Sequence, residues 1–189
     1  MQILKQRILE DSVVIGNNIL KVDNFLNHQI DVVLLDEIGR EFHRRFGDLG
    51  LTKILTVEAS GISVACATAR EYKVPVLFAK KGTVSTQNEG NYTSKSFSFT
   101  KNEEYTMNVS RKYLGPDDRV LIIDDFLANG LAIDALLEII EQSGASLAGI
   151  GIVIEKEFQA GGQKIRDKGI HLESLARIRK MGEDGIVFA

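Results

Sequence analysis

The stretch Arg119–Ala132, RVLIIDDFLANGLA, decides the fold, because its residue pattern changes in the middle. Its second to fifth residues, VLII, are apolar, which is typical of a strand buried on both faces. Two carboxylates, Asp124 and Asp125, follow, and then a turn of small residues. Apolar residues next recur at helical spacing, which predicts a helix starting near Asn129 or Gly130. The order is therefore buried strand, two acids, small-residue turn and helix.

This order can hold a phosphate group beside a sugar. The first N–H groups of a helix lack partners inside the helix, and the helix dipole adds partial positive charge there. A turn of Ala128, Asn129 and Gly130 lets a phosphate approach the backbone closely. Ionised carboxylates only accept hydrogen bonds, so Asp124 and Asp125 suit sugar hydroxyls or a hydrated metal ion. An ordinary strand end with two solvated acids is the open alternative, because strand–turn–helix units are common in α/β proteins.

Length and composition indicate one soluble globular domain. The chain has 189 residues, of which 44% are apolar and 26% charged, and its net charge is −3. This charge argues against broad affinity for nucleic acids or membranes. The single Cys66 cannot form an internal disulfide, no segment approaches the roughly 20 apolar residues of a membrane span, and the N-terminus lacks the apolar core of a signal peptide. We expect a cytoplasmic protein.

Two further predicted strands end in residues that suit an anionic ligand. The strand KILTV (53–57) is followed by Glu58-Ala59-Ser60-Gly61 and a helix through about Tyr72, which forms a second candidate anion site. The strand VLFA (76–79) ends in Lys80-Lys81. Such a basic pair suits a polyanion, although an isolated pair is also common as plain surface charge.

The strand AGIGIVI (148–154) leads to Glu155-Lys156 on the same ligand side. A lysine carries three donors and no acceptor. Lys156 would therefore favour a ring carbonyl and disfavour an exocyclic amine. A ligand ring with a carbonyl at this point therefore fits Lys156 better than one with an amine does.

The remaining segments frame this core. We expect a short strand at Val13–Ile15 within an otherwise irregular segment 12–30, and a polar segment 82–93 that leads into a hairpin closed around Thr100–Glu103. Such a hairpin suits a cover over an active site, although a plain surface hairpin would show the same pattern. The other predicted elements are helices at 1–11, 31–47 and 160–170 and closing strands at 171–178 and 185–189.

The stretch VLIIDDFLANG resembles the phosphoribosyl-pyrophosphate motif of the type I phosphoribosyltransferases. The similarity extends over essentially the full chain and is also carried by LKVDNFLNHQID (20–31), EASGI (58–62) and AGIGIVIEK (148–156). The broad family usually has Thr-Gly-Gly-Thr-like residues in its phosphate loop. The loop here lacks those hydroxyls, which leaves more of the phosphate binding to backbone N–H groups. Its Ala-Asn-Gly form is similar to the branch of the family that acts on xanthine.

The resemblance implies a fold and a reaction. The fold is α/β, with a mostly parallel central sheet flanked by helices, a β-hairpin flap and an N-terminal hood. One domain, 1–189, would comprise a hood of about 1–30 plus the C-terminal strands and a core of about 31–160. The reaction transfers the 5-phosphoribosyl group from phosphoribosyl pyrophosphate to xanthine, which gives xanthosine 5′-monophosphate and pyrophosphate in purine salvage. Mg²⁺ would arrive with phosphoribosyl pyrophosphate, and the chain would form a homodimer.

The resemblance also assigns roles to residues, and it leaves rival functions open. Another 6-oxopurine, guanine or hypoxanthine, is the nearer rival substrate. A non-catalytic regulator that senses phosphoribosyl pyrophosphate is the further one, but it needs a nucleic-acid surface, and neither the acidic net charge nor residues 1–30 indicate one. No direct metal ligand is assigned. The implied roles are catalysis and ribose binding by Asp124 and Asp125, phosphate binding by Ala128, Asn129, Gly130, Leu131 and Ala132, pyrophosphate contact by Ser60, Gly61 and Lys80, and xanthine contact by Leu20, Asn27 and Lys156.

Overall fold

A computed structural model describes residues 1–82, 90–98 and 103–189. Along the described chain the elements are α1 (Gln2–Asp11), β1 (Val13–Ile15), β2 (Ile19–Lys21), a π-helical turn (Asp23–Asn27), α2 (Val32–Phe46), β3 (Lys53–Val57), α3 (Ser60–Tyr72), β4 (Val76–Gly82), β5 (Asn91–Ser98), β6 (Glu103–Ser110), β7 (Arg119–Leu127), α4 (Leu131–Ser143), β8 (Ser146–Lys156), α5 (Gly161–Asp167), β9 (Leu172–Gly182) and β10 (Gly185–Phe188).

The main sheet has eight strands in the order β10-β9-β8-β7-β3-β4-β6-β5. Five neighbouring strands run parallel to one another, namely β9, β8, β7, β3 and β4. The outer strands β10, β6 and β5 are antiparallel to their neighbours. Strands β1 and β2 form a separate two-stranded ribbon. The α/β architecture with a mostly parallel sheet, predicted from the sequence, is confirmed.

Strand β7 is central because its apolar run is buried on both faces. Leu121 and Ile123 belong to a core cluster shared with α1, α2 and α3. Val120 and Ile122 point the other way, into a second cluster that contains Leu136 and other residues of α4. All four strand residues have 0% exposure. At roughly 25 cal/mol per Å² of buried apolar surface, these two clusters supply the main driving force for folding.

The N-terminal segment packs against the C-terminal strands. Leu4 and Ile8 of α1 and Phe25 of the π-helical turn are buried in the same cluster as Ile178 and Met181 of β9. The segment 12–30 is more ordered than predicted, because β2 pairs locally with β1 and the π-helical turn follows it. Its three-residue strands are too short to give a periodic signal in the sequence.

Two strands continue further than their apolar runs predict. Strand β7 extends through Asp124 and Asp125, so both acids lie in the strand and do not follow it. Pairing with β8 as far as Leu127 and Glu155 holds this extension. Strand β4 likewise runs to Gly82, because its last residues pair with β6.

The predicted hairpin is present as β5 and β6, paired from Asn91 and Ser110 to Ser98 and Glu103. Residues 100–102 of the predicted turn Thr100–Glu103 lie outside the described residues, while Glu103 already begins β6; segment 83–89 of the predicted polar stretch also lies outside them. Within the described chain, no helix combines the length and the apolar character that crossing a membrane requires.

Candidate active site

Parallel strands bring the predicted site residues to one edge of the sheet. Strands β3, β4, β7 and β8 are parallel neighbours, so their carboxyl ends lie side by side. In open α/β sheets this edge is where ligands bind. The groups that meet there are the turn 58–61, the pair Lys80-Lys81, the pair Asp124-Asp125 and Lys156.

The two acids are almost fully buried in β7. Asp124 is 4% exposed and Asp125 is 7% exposed. The Asp124 Oδ1 atom accepts a hydrogen bond of 3.0 Å from the backbone N–H of Asp125. Burial and the neighbouring Asp125 carboxylate raise the pKa of Asp124 well above its usual value, and the positive charge of Lys81 opposes this rise. A ligand that donates hydrogen bonds to this pair would offset the cost of burying it.

The loop between β7 and α4 holds three of the five predicted phosphate-binding residues, Ala128, Asn129 and Gly130, and the other two, Leu131 and Ala132, begin α4. Gly130 has a φ of +87°, a left-handed conformation that favours glycine. It therefore precedes the helix, which starts at Leu131, slightly later than predicted. The Asn129 Oδ1 atom accepts a bond of 3.4 Å from the Leu131 N–H. The loop thus lies at the N-terminal end of a 13-residue helix, where unpaired N–H groups and the helix dipole favour an anion.

The start of α5 packs directly against this loop. The Gly161 N–H donates a hydrogen bond of 3.0 Å to the Ala128 carbonyl oxygen. A Cβ atom on Gly161 would lie 2.5 Å from that oxygen and 2.7 Å from the Gly130 nitrogen. Only glycine allows this close approach between α5 and the loop.

The turn 58–61 contacts the ends of the two strands beside β3, which are β4 and β7. The peptide bond between Glu58 and Ala59 is cis. The Glu58 Oε1 atom accepts a hydrogen bond of 2.6 Å from the Lys81 N–H. A Cβ atom on Gly61 would lie 2.8 Å from Asp124 Oδ1 and would overlap the Thr56 hydroxyl. The structure therefore places Gly61, which follows Ser60 at the start of α3, directly beside Asp124.

The two lysines of β4 lie on opposite faces, because side chains alternate along a strand. Lys81 lies close enough to Asp124 for its positive charge to oppose the rise in the pKa of that carboxyl group. Its Nζ atom lies 5.3 Å from the centre of the Tyr105 ring of the hairpin. Lys80 lines a separate groove of about 550 Å³ with residues such as Phe78 and Asn108. The described lining of that groove includes none of the other predicted site residues, so Lys81, which the sequence analysis left without a role, is the better placed cation.

Lys156 connects the core to the N-terminal segment. Its Nζ atom donates a hydrogen bond of 2.6 Å to the Asn18 carbonyl oxygen and lies 5.7 Å from the centre of the Phe126 ring. Burial lowers the pKa of Lys156. Leu20 and Phe126 belong to the same apolar cluster.

Asn27, the third predicted base contact, is exposed at the end of the π-helical turn. The hydrogen bond of Lys156 goes to the Asn18 carbonyl oxygen and not to the Asn27 side chain. Its role as a base contact stays a prediction.

A buried ion pair behind this site was missed by sequence reasoning. Glu155, with 1% side-chain exposure, receives two hydrogen bonds of 2.7 Å from the Arg166 guanidinium and one of 2.5 Å from the Ser174 hydroxyl. Burial opposes ionisation, but Arg166 and Ser174 outweigh it and hold the pKa of Glu155 below its usual value. A Glu and an Arg eleven residues apart in a strand–turn–helix segment show no pattern that identifies such a pair.

Metal binding at this edge would have few protein ligands. In the part of the chain that the structure describes, no group of three or more His, Cys, Asp or Glu side chains could together hold a metal ion. Asp124 and Asp125 still provide the carboxylate oxygens that Mg²⁺ prefers. Because Mg²⁺ usually keeps several waters and is bound with substrate phosphates, two carboxylates beside a phosphate loop fit an ion carried by its ligand.

Comparison with known proteins finds similar sequences over the whole chain. A sequence model of the phosphoribosyl transferase domain matches residues 21–173. A xanthine phosphoribosyltransferase of Ruminiclostridium cellulolyticum is 55% identical over 188 residues, which covers 100% of this chain and 99% of that protein. One of Lachnoclostridium phytofermentans is 56% identical over 189 residues, with 99% and 97% covered.

Solved structures agree on the fold. The crystal structure of an adenine phosphoribosyltransferase from Giardia lamblia, complexed with 9-deazaadenine, superposes with a TM-score of 0.77. It covers 92% of this chain and 97% of its own, at 21% sequence identity. At this identity the likeness carries the fold alone.

Proposed function

The chain belongs to the phosphoribosyltransferase family, with the type I fold predicted from the sequence, and from this premise we propose that it is an enzyme that transfers the 5-phosphoribosyl group of phosphoribosyl pyrophosphate to xanthine. The products are xanthosine 5′-monophosphate and pyrophosphate, and the reaction serves purine salvage in the cytoplasm. The observation that carries the proposal is the buried pair Asp124-Asp125 beside the loop at the start of α4. The relatives with full-length identity above 50% support xanthine as the base.

The phosphate loop and the acid pair would hold the two ends of the ribose 5-phosphate. Backbone N–H groups of residues 128–132 receive the 5′-phosphate at the helix N-terminus. Asp124 and Asp125 accept hydrogen bonds from the ribose hydroxyls, which offsets the cost of burying two carboxylates. Asp125 could also accept a proton near the purine. Catalysis then comes from positioning and charge placement, and the protein supplies no nucleophile.

The pyrophosphate would lie on the side of the turn 58–61. Ser60 and Gly61 begin α3 there, so its N-terminal N–H groups face the same edge as the acid pair. The charge of Lys81 lies on the same face. Lys80 stays a weaker proposal, because its side chain lines the groove with Phe78. Mg²⁺ bound with phosphoribosyl pyrophosphate near Asp124 and Asp125 would offset the charge of the leaving pyrophosphate.

The base would lie between Lys156 and the N-terminal segment. Residues 1–30 together with the C-terminal strands would form its hood, and 31–160 the core. Leu20 and Phe126 offer apolar surface, and Lys156 offers a donor to a ring carbonyl. The hydrogen bond to the Asn18 carbonyl uses one of its three donors and leaves two for a ligand. A carbonyl-bearing purine is favoured over adenine, and Asn27 is a proposed further contact from the hood.

The resemblance to the family also supports self-association as a homodimer. The native mass in solution tests this directly, since a dimer has twice the 20.9 kDa of one chain.

Initial rates with four bases test the proposed function. Pyrophosphate release is measured with phosphoribosyl pyrophosphate and Mg²⁺ and with xanthine, guanine, hypoxanthine or adenine. We expect the highest kcat/KM with xanthine. A preference for guanine or hypoxanthine would retain the phosphate site and refute the assigned base. Tight binding of phosphoribosyl pyrophosphate without turnover of any base would refute catalysis and favour a sensor.

A further inference from the structure

We propose that the buried Glu155–Arg166 ion pair is a positioning device that sets the phosphate loop through α5. The inference rests on the proposed function, since the ligand of the loop is taken to be phosphoribosyl pyrophosphate. Glu155 is the second-last residue of strand β8, and Arg166 lies on α5, which follows it. The side-chain hydrogen bonds of Glu155 join it to Arg166 and Ser174 and not to the loop, so the effect of the pair would pass through the helix.

The pair fixes α5 in both position and rotation. The two bonds of 2.7 Å form a fork from the Arg166 guanidinium to both Glu155 oxygens, an arrangement with one preferred orientation. Ser174 of β9 adds a bond of 2.5 Å to Glu155 Oε2, and Arg177 lies 3.7 Å from the same oxygen. The Glu155 carboxylate is thus fixed by Ser174 and Arg177 of β9 as well as by Arg166 of α5.

Two adjacent glycines connect this pair to the loop. A Cβ atom on Gly162 would overlap Glu155 Oε1 and lie 2.7 Å from Arg166 Nη1, so the start of α5 rests directly on the ion pair. A Cβ atom on Gly161 would lie 2.5 Å from the Ala128 oxygen. The helix backbone at these two glycines therefore touches the ion pair on one side and the phosphate loop on the other.

A second contact ties the far end of α5 to the same phosphate helix. Lys168, just after α5, donates a bond of 2.9 Å to Asp134 in the first turn of α4. Helix α5 therefore braces both the loop and the helix start that it leads into. Loss of the fork would free α5 to rotate about its remaining contacts and would disturb the N–H groups aimed at the 5′-phosphate.

The test compares Arg166→Ala with Lys164→Ala, which removes the same charge from the exposed surface of the same helix. The dissociation constant of phosphoribosyl pyrophosphate with Mg²⁺ is measured by calorimetry, alongside KM for both substrates. We expect Arg166→Ala to raise the dissociation constant by on the order of tenfold or more. The KM for xanthine should change by less than about threefold, and Lys164→Ala should match the parent protein.

Chemical rescue separates positioning from general destabilisation. Arg166 has 30% side-chain exposure, so methylguanidinium can reach the space left by the Ala variant. Millimolar methylguanidinium chloride should restore phosphoribosyl pyrophosphate binding to Arg166→Ala, while equal sodium chloride should not. A generally destabilised protein would gain nothing from a guanidinium ion. Unchanged binding by a folded Arg166→Ala variant, or weakened binding with no rescue, would overturn the proposal.

Gly161→Ala tests the contact between α5 and the phosphate loop while the Glu155–Arg166 ion pair stays intact. It keeps the proposal open to refutation if Arg166→Ala does not fold. Its added methyl group would push on the Ala128 oxygen, so binding should again weaken by about tenfold or more. Gly115→Ala is the control, since its methyl group would meet nothing within 4 Å. Normal binding by Gly161→Ala would refute the coupling. If the parent protein itself does not bind phosphoribosyl pyrophosphate, the proposed function fails first and this inference with it.

Discussion

Gly61→Ala sets two physical effects of opposite sign against each other. Gly61 is the second residue of α3, and alanine is favoured over glycine inside a helix by about 1 kcal/mol. The added methyl group, however, would lie 2.8 Å from Asp124 Oδ1 and would overlap the buried Thr56 hydroxyl. Overpacking of this kind typically costs about 1–3 kcal/mol. We expect the steric effect to prevail, with a net loss of up to about 2 kcal/mol in the free energy of unfolding.

For a protein of this size, such a loss lowers Tm by up to roughly 8 °C. Thermal unfolding followed by circular dichroism measures it. Displacement of the Asp124 carboxylate should also lower kcat/KM for phosphoribosyl pyrophosphate by about tenfold to a hundredfold.

Gly39→Ala is the matched control for the clash. Its methyl group would lie 2.6 Å from the Ala67 carbonyl oxygen, where α2 and α3 pack away from the acid pair. We expect a lower Tm with unchanged kcat/KM. If Gly61→Ala instead raises Tm and keeps full activity, helix propensity has prevailed and the described contact between α3 and Asp124 is wrong.

Three further predictions concern the acids and Lys156. Asp125→Asn should lower kcat by about 10²–10⁴-fold with little change in Tm, because it removes a hydrogen-bond acceptor and proton acceptor but preserves shape; near-normal turnover would rule out a catalytic role. Lys156→Gln should reduce the preference for xanthine over hypoxanthine by about tenfold or more in competition assays, since a charged donor is lost; an unchanged ratio would remove Lys156 from base selection. Burial and Asp125 raise the pKa of Asp124, so the folded protein retains a proton on Asp124 at pH values where the unfolded chain has lost it. The contribution of Asp124 to stability therefore falls as the pH rises from about 4 through the higher folded pKa. Urea unfolding of Asp124→Asn should therefore show a stability gain over the parent protein that grows from pH 5 to pH 8, and a gain independent of pH would contradict the assigned cause.

The local pattern of Arg119–Ala132 was sufficient to predict the centre of the fold. A buried strand, an acid pair and a glycine turn before a helix each depend on residues close in sequence, and the structure has all of them. The end of strand β7 was misplaced, because its last residues are held by pairing with β8, which no local pattern records. The same reason explains why β4 continues past its apolar run.

The parts of the site that sequence could not predict depend on packing between distant segments. Lys80 and Lys81 are adjacent, and only the pairing of β4 with β3 and β6 decides which one faces Asp124. The Glu155–Arg166 pair requires α5 to fold back on β8, and its third member, Ser174, comes from β9. The glycine pair Gly161-Gly162 was a possible signal, since adjacent glycines often mark close backbone contact.

Product analysis is the most direct test of the central claim. The protein is incubated with phosphoribosyl pyrophosphate, Mg²⁺ and xanthine, and the reaction is followed by ³¹P nuclear magnetic resonance. We predict that the diphosphate signals of the substrate are replaced by pyrophosphate, and that xanthosine 5′-monophosphate forms in equal amount. Phosphoribosyl pyrophosphate that binds but stays intact with xanthine, or pyrophosphate released without a nucleotide, would contradict the account.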